Sequence, residues 1–342
     1  MRLIPTAHSR KIPAKQMNNG IFIGIDTSNY TTSFSAVSEE GKVVANIKRL
    51  LPVAQGERGL RQSDAVFSHI KAIPTLAKEL SESLDAYLPP EEREIKAVGF
   101  SSAPRDLPGS YMPCFLVGQA VASTLACAAG VPLFSFSHQA GHVMAALYSA
   151  GATELIKEKF AAFHVSGGTT DLLLCEPDSE RILKITELGK SLDINAGQAI
   201  DRAGVMMGMS FPCGPELEAK AKEYSGPRRR VNTCVKGLNC NLSGLENMAS
   251  KIYAESSDVR ETASFVFDFI SETLFRMSVN LREEYPAIPI VYAGGVMSSS
   301  IIRERLSVFG GYHAEARFSS DNASGSALLC REKYGRNNDG RD

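Results

Sequence analysis

Two segments far apart in the chain share one pattern, and this repeat is the feature that most limits the possible folds. Residues 21–37 form an apolar strand run, a turn rich in Thr and Ser, and an alternating run. Residues 160–175 repeat that order around a Gly-Gly turn. Each segment alone is typical of an ordinary hairpin, although such turns can also offer N–H and hydroxyl donors to a phosphate. Together they predict a duplicated α/β fold whose two lobes grip a phosphate chain.

The length agrees with this two-lobed arrangement. The chain has 342 residues, 44% of them hydrophobic and 22% charged, which suits two domains or one double-lobed fold. We predict a disordered N-terminal extension at residues 1–20, a first lobe at 21–145, a second lobe at 146–332 and a flexible tail at 333–342.

The bulk properties also exclude several classes of function. A formal net charge of −1 argues against a general polyanion binder, but it leaves room for a local basic patch such as Arg228–Arg230. Seven cysteines without a Cys-x-x-Cys pair are typical of reduced thiols in a cytoplasm. No signal peptide is visible, and the longest apolar run, 114–129, is too short and too polar to span a bilayer. We therefore expect a cytoplasmic protein without a membrane partner.

A pair of histidines predicts a metal site. His138 and His142 stand four residues apart at the start of a predicted helix, so both imidazoles lie on one helical face and can reach one ion. Such pairs suit zinc, iron or nickel better than magnesium. Two ligands do not complete a site, and we propose Asp321 as the third. The alternative is two polar residues that happen to lie at a helix N-terminus.

Two further segments are candidates for ligand binding. Gly167 and Gly168 would let a backbone approach a ligand closely, and Gly294–Gly295 could admit an adenine or a phosphate between a strand and a helix. Asp201 lies on a helix before a glycine-rich corner. Its carboxylate is either a solvated surface group or a group that holds ribose hydroxyls.

In combination and order, these segments resemble the TsaD family, the threonylcarbamoyl transferases that modify tRNA, across about residues 21–330. The resemblance implies an actin/Hsp70/sugar-kinase-like (ASKHA) fold with a nucleotide cleft between its lobes. The segments that carry it are Gly24–Ser28, His138–His142, Val165–Gly168, Leu192–Asp193, Ala199–Asp201, Gly214–Glu216, Ser243–Leu245, Ala293–Val296 and Asp321–Ala323.

The resemblance also implies an activity and its partners. A threonylcarbamoyl group would pass from threonylcarbamoyl-AMP to the exocyclic amine of the tRNA adenosine next to the anticodon. One divalent metal ion, iron or zinc, would be bound by His138, His142 and Asp321. TsaB-like and TsaE-like proteins would be partners, and ATP or an adenylate would be a ligand. The implied nucleotide- and substrate-binding residues are Val165, Ser166, Gly167, Gly168, Thr169, Asp201, Gly214 and Ser299.

Several positions depart from the family's pattern. Tyr30 occupies the usual acidic catalytic position, Thr169 replaces a His, Ser299 replaces an Asn, and Ala140 replaces a Glu. A phenol stays protonated at neutral pH and is a poor general base. We therefore hypothesise that activity on tRNA is weak or absent, and that Tyr30 shapes a pocket for another acceptor. The alternatives are a divergent carbamoyl transferase with another acceptor and a non-catalytic adenylate-binding scaffold subunit.

Overall fold

The structure is a computed structural model and describes residues 19–28, 30–52, 60–318 and 323–339. The strands within these ranges are β1 (Gly20–Ser28), β2 (Thr31–Ser38), β3 (Val43–Leu50), β4 (Glu94–Ala103), β5 (Leu133–Ser137), β6 (Phe160–Val165), β7 (Thr170–Asp178), β8 (Ile182–Lys190), β9 (Cys234–Lys236), β10 (Asn239–Asn241), β11 (Ile290–Ala293) and β12 (Tyr312–His313). The helices are α1 (Gln62–Tyr87), α2 (Phe115–Ala129), α3 (His138–Ser149), α4 (Ala196–Met206), α5 (Gly214–Lys222), α6 (Gly244–Ser256), α7 (Val259–Glu284), α8 (Ser300–Leu306) and α9 (Ser324–Asp339).

Two five-stranded sheets have the same topology. The first has the strand order β3-β2-β1-β4-β5, and the second has β8-β7-β6-β11-β12. In each sheet three consecutive antiparallel strands are followed by two strands that run parallel to the first of the three. The repeated hairpins therefore open two equivalent α/β lobes, and the predicted duplicated ASKHA-type fold is confirmed.

Helices cover both faces of the first sheet. On one face Ile21, Ile23 and Ile25 of β1 pack with Leu76 of α1 and Ala122 of α2. The other face packs against α3 and α9. Because both faces are covered, β1 and β2 are buried along their whole length, although they lie in an antiparallel part of the sheet. No helix within the described ranges is long and apolar enough to cross a membrane.

The last helix returns to the first sheet. Helix α9 approaches β1 and β4 closely because Gly24 and Gly99 lack side chains, and a Cβ on either residue would meet the α9 backbone. A second close approach lies between α9 and α3, where a Cβ on Gly325 would overlap the carbonyl oxygen of Gly141. Helix α9 therefore packs closely against β1, β4 and α3.

The predicted ends of the chain fall only partly within the described ranges. Residues 1–18 and 340–342 lie outside them, whereas Gly20 already belongs to β1. Residues 333–339, which the sequence analysis assigns to a flexible tail, form the last turns of α9. Their helix is tied to the second lobe by hydrogen bonds from Lys333 and Arg336 to the backbone of the β7–β8 turn. The predicted lobe boundaries stay a prediction.

Candidate functional site

The largest described cavity of the cleft lies between the two repeated hairpins. Its volume is about 570 Å³, and we call it the histidine cavity. Its lining combines the β1–β2 turn, the loop after β4 and the start of α3 with the β6–β7 turn of the second lobe. The lining residues are Ser28, Tyr30, Thr31, Leu50, Pro104, Arg105, Met112, Phe115, His138, Gln139, His142, His164, Ser166, Gly167, Gly168, Thr169, Asp171 and Gln198.

Helix α3 presents the two predicted histidines to this cavity. Strand β5 ends at Ser137, whose hydroxyl accepts a hydrogen bond from the Ala140 N–H and so caps the helix. His138 and His142 follow on one helical face, and their Nε2 atoms lie 2.9 Å apart. Both ring nitrogens therefore point to the same place.

A buried carboxylate fixes the orientation of His138. Asp26, at the end of β1, is 1% exposed and lies 2.8 Å from the Nδ1 atom of His138. Asp26 also accepts hydrogen bonds from the Ser101 hydroxyl and, at 2.9 Å, from the Ser28 N–H. A carboxylate beside Nδ1 favours the tautomer with hydrogen on Nδ1, so that the lone pair of His138 lies on Nε2, the atom that faces His142.

The predicted metal set is only partly visible. Asp321 lies outside the described residues, and the described ranges contain no group of three or more His, Cys, Asp or Glu side chains arranged to hold a metal. Phe318, the last described residue before Asp321, lies in a short 3-10 turn. The convergent Nε2 atoms and the carboxylate behind His138 nevertheless suit two of the ligands of a transition metal and the group that orients one of them.

The β6–β7 turn forms the second wall of the cavity. The Ser166 hydroxyl accepts hydrogen bonds from the N–H groups of Gly168 and Thr169, both at 3.2 Å. A Cβ added to Gly167 or Gly168 would meet nothing within 4 Å, so both glycines face open space. The turn therefore exposes its backbone to the cavity. The Gly168 and Thr169 N–H groups could exchange their hydrogen bonds to the Ser166 hydroxyl for hydrogen bonds to a phosphate oxygen.

Helix α4 supports this turn from behind. Its N-cap residue Asn195 forms a capping box with Gln198, and the Asn195 side chain donates to the Gly168 carbonyl at 2.9 Å. The Gly197 N–H donates to the Ser166 carbonyl at 3.1 Å. A Cβ on Gly197 would lie 2.7 Å from the Gly167 Cα, so only glycine permits this packing.

A second cavity of about 480 Å³ adjoins the first, and we call it the glycine cavity. It contains Asp201, Gly214 and Ser299, which the sequence analysis named as nucleotide-binding residues. Gly167 lines both cavities, so the β6–β7 turn separates them. The lining residues of the glycine cavity are Gly167, Gly197, Ile200, Asp201, Pro212, Gly214, Pro215, Glu218, Phe267, Gly295, Val296, Ser298 and Ser299.

Two carboxylates of the glycine cavity also hold its walls together. Asp201 accepts a hydrogen bond from the Cys213 N–H at 2.8 Å, and burial raises its pKa. Glu218 accepts from the backbone and hydroxyl of Ser300 at 2.8 and 2.9 Å. Ser299 caps α8 through the Ile302 N–H and is buried. Asp201 therefore joins α4 to the corner before α5, and Glu218 joins α5 to the start of α8.

The structure also adds residues that sequence reasoning did not select. His164 lies next to the last residue of β6, and its ring centroid lies 4.8 Å from that of His142. Arg105 reaches across the cleft and pairs with Asp171 at 2.8 Å and with Glu187 at 2.7 Å. The only sequence signal for His164 and Asp171 was their position on either side of the Ser-Gly-Gly turn. Arg105 had no signal, because only the tertiary structure brings its loop to the second lobe.

The basic loop before β9 proves to be largely neutralised. Arg228 pairs with Asp268 at 3.1 Å, and Arg229 pairs with Glu261 at 2.7 Å and Glu255 at 3.2 Å. Two of the three adjacent arginines therefore already have acidic partners.

The sequence model of one family matches residues 42–327, and that family is described as TsaD: tRNA N6-adenosine threonylcarbamoyltransferase. The match spans most of the chain and both sides of the cleft. The chain belongs to the TsaD family. The resemblance seen in the motifs is thereby confirmed, and the chain is a member of a family of tRNA-modifying transferases.

One relative agrees with the family assignment, and two solved structures agree with the fold. A tRNA N6-adenosine threonylcarbamoyltransferase of Neorickettsia sennetsu is 28% identical over 332 residues, which cover 93% of this TsaD-family chain and 94% of the relative. The structure of HypF from T. kodakarensis has a TM-score of 0.55 at 12% identity and covers 94% of this chain and 48% of that one. A ROK family glucokinase from Streptomyces griseus, in complex with glucose and AMPPNP, has a TM-score of 0.50 at 14% identity, with coverages of 92% and 100%. At these identities the two structures support the fold alone.

Proposed function

We propose that this TsaD-family protein transfers a threonylcarbamoyl group from threonylcarbamoyl-AMP to the exocyclic amine of the tRNA adenosine next to the anticodon. The observation that carries the proposal is the position of Gly167, which lines both cavities of the cleft. An adenylate whose nucleoside occupies the glycine cavity would have its phosphate beside Gly167. Its acyl group would then enter the histidine cavity.

Each cavity offers groups suited to its half of this donor. In the glycine cavity, Asp201 and Glu218 can accept hydrogen bonds from ribose hydroxyls, and Phe267 and Val296 supply apolar contacts for adenine. At the boundary, the open backbone of Gly167 and Gly168 can approach the phosphate, and the Ser166 hydroxyl supplies a further polar contact. These residues would hold the donor and orient its carbonyl toward the histidines.

His138 and His142, together with Asp321, would hold one iron or zinc ion in this proposal. Such an ion supplies Lewis-acid polarisation of a carbonyl when it is bound. Asp26 would keep His138 in the required tautomer, and it is too deeply buried to contact the substrate itself. The partners proposed are tRNA and TsaB-like and TsaE-like proteins.

A second candidate is carbamoyl transfer to another amine or hydroxyl acceptor. The observation that favours it is Tyr30, which lines the histidine cavity where the family carries an acid and is 41% exposed. This candidate keeps the same donor site and changes only the acceptor.

The test for the first candidate is loss and restoration of the modified nucleoside. The gene is deleted in its host, and tRNA nucleosides are analysed by mass spectrometry before and after complementation. We expect N6-threonylcarbamoyladenosine to fall on deletion and to return with the unmodified gene. The purified protein, with its host partner proteins, should also incorporate labelled threonine into tRNA. Unchanged nucleosides and no incorporation would reject tRNA as the acceptor and favour the second candidate.

A further inference from the structure

The histidine cavity contains one carboxylic acid that has no part in the proposed donor and metal sites. Among the described lining residues, Asp171 is the only carboxylic acid and Arg105 the only Lys or Arg. Asp171 lies at the start of β7, directly after the turn that would hold the phosphate, and is 4% exposed. A deeply buried carboxylate at the wall of a substrate cavity requires an explanation.

The sheet register places Asp171 beside His164, one of the histidines that line the cavity. Asp171 on β7 lies directly opposite His164 on β6, so the two side chains share one face of the sheet. The His164 ring in turn lies 4.8 Å from the ring of His142. Asp171 therefore lines the same cavity as the histidines and the Gly167 turn.

The surroundings of Asp171 leave it partly available. One of its oxygens accepts a hydrogen bond from Arg105 at 2.8 Å. The charged and titratable groups around it are Arg105 from the loop after β4, Glu187 and Lys190 from β8, and His164 from β6. Burial raises the pKa of Asp171, Arg105 lowers it, Glu187 raises it and Lys190 lowers it, with a net increase. A carboxylate with a raised pKa is a stronger base than an exposed one.

We propose that Asp171 is the general base of the transfer, in place of the acid that is missing at Tyr30. This inference rests on the proposed function, because it takes an amine as the acceptor. The catalytic carboxylate would then lie at the start of β7 in the second lobe and not in the β1–β2 turn of the first. Arg105 is then a positioning residue that orients the carboxylate from across the cleft.

The step balances as follows in atoms and charge. The amine nitrogen forms a bond to the carbamoyl carbon of the donor, and the bond from that carbon to the phosphate oxygen breaks. The electron pair of the broken bond leaves with AMP. The proton lost by the amine nitrogen passes to a carboxylate oxygen of Asp171, which releases it to solvent after the product departs.

The test compares Asp171→Asn with two acceptors. With tRNA, general-base removal should lower kcat/KM by about 10²- to 10⁴-fold. With hydroxylamine, which attacks without help from a base, AMP release from threonylcarbamoyl-AMP should stay within about threefold of the unmodified protein. The unmodified protein should lose activity on tRNA as the pH falls through a pKa above that of an ordinary Asp. This fall in activity at acidic pH, the acidic limb of the pH profile, should be absent with hydroxylamine and absent in Asp171→Asn.

Two further variants separate catalysis from a structural role. Asp171→Glu keeps a carboxylate and should restore part of the activity on tRNA together with the acidic limb. Glu187 is the other carboxylate partner of Arg105, but it does not line the cavity. Glu187→Gln should therefore keep the loss of activity at acidic pH. Because the folded protein binds a proton at Asp171 more tightly than the unfolded chain does, ionised Asp171 costs stability at neutral pH. A thermal melt of Asp171→Asn at pH 7 checks that the variant is folded, since the change also removes the ion pair with Arg105.

The outcomes are distinguishable. Equal losses with tRNA and hydroxylamine in Asp171→Asn, or full activity with tRNA and an unchanged acidic limb, would overturn the role of Asp171 alone. No incorporation into tRNA by the unmodified protein would overturn the proposed function and the inference with it.

Discussion

His138 and His142 are the residues whose chemistry the sequence predicts most directly. Their Nε2 atoms lie 2.9 Å apart, and Asp26 fixes the ring of the first one. We expect the purified protein to retain about one equivalent of a divalent transition metal, as a site with these ligands would. The double variant His138→Ala with His142→Ala should lose it, as measured by elemental analysis.

The matched control for this experiment is His313→Ala. His313 lies on β12, stacks on Tyr292 and lies outside the histidine cavity. This variant should keep the metal. Full retention by the double histidine variant, with circular dichroism showing an intact fold, would contradict the metal site.

Asp193 shows how a carboxylate in a family motif can act on the fold. Desolvation alone would raise its pKa, but hydrogen bonds from Leu242, Ser243 and Ile194 outweigh that effect and hold the pKa well below its usual range. Ionised Asp193 therefore stabilises the folded state at neutral pH by tying the loop before α4 to the start of α6.

We expect Asp193→Asn to lower the free energy of unfolding at pH 7 by about 1 kcal/mol, a modest value because solvent screens this exposed group. The lowered pKa means that this contribution is complete above the unfolded pKa near 4 and is lost as the pH falls toward the folded value. Urea titrations at several pH values should show the difference between the two proteins shrinking below about pH 4. A difference that stayed constant down to pH 2 would show that the charge is not responsible.

At the scale of elements, the contact between α9 and α3 is the most sensitive to a single methyl group. A Cβ on Gly325 would overlap the Gly141 backbone, whereas a Cβ on Gly335, in the same helix, would meet nothing within 4 Å. Gly325→Ala should lower the free energy of unfolding by about 1–3 kcal/mol through overpacking. Gly335→Ala should raise it by up to about 1 kcal/mol, because alanine favours a helix over glycine. Chemical denaturation of the two variants measures both effects, and equal effects would mean that the helices do not pack this closely.

For the whole molecule, a ligand in the cleft should stabilise both lobes together. AMP at about 100 times its Kd would add about 2.7 kcal/mol to the free energy of unfolding. Gly168→Val would place a branched side chain where the phosphate should lie, without a clash in the free protein. A tenfold loss of affinity would reduce that gain to about 1.4 kcal/mol.

Thermal melts with and without AMP, together with calorimetry, test this expectation. Gly335→Val, also in open space but far along α9, is the control and should keep the full ligand-induced shift. An unchanged AMP affinity in folded Gly168→Val would mean that the β6–β7 turn does not hold a phosphate.

Local patterns were enough to predict the architecture. The duplicated hairpins, the helix that carries the histidines and the glycine turn all depend on residue order over short distances: strand runs, four-residue helical spacing and glycine at a tight turn. For that reason the two-lobe fold and the family could both be predicted from the chain alone.

The contents of the cleft depended on contacts between distant segments. Arg105 and Asp171 lie 66 positions apart and meet only because two separate lobes face each other. His164 joins His142 for the same reason, and only the structure shows that Arg336, near the end of α9, donates to the backbone at the end of β7. Local sequence patterns do not predict such contacts. The type and spacing of side chains determine which element a residue belongs to, but not which other element packs against it. The sequence alone therefore determined the fold and the histidine pair, and only the tertiary structure brought the buried Asp171 carboxylate into the cavity that the pair lines.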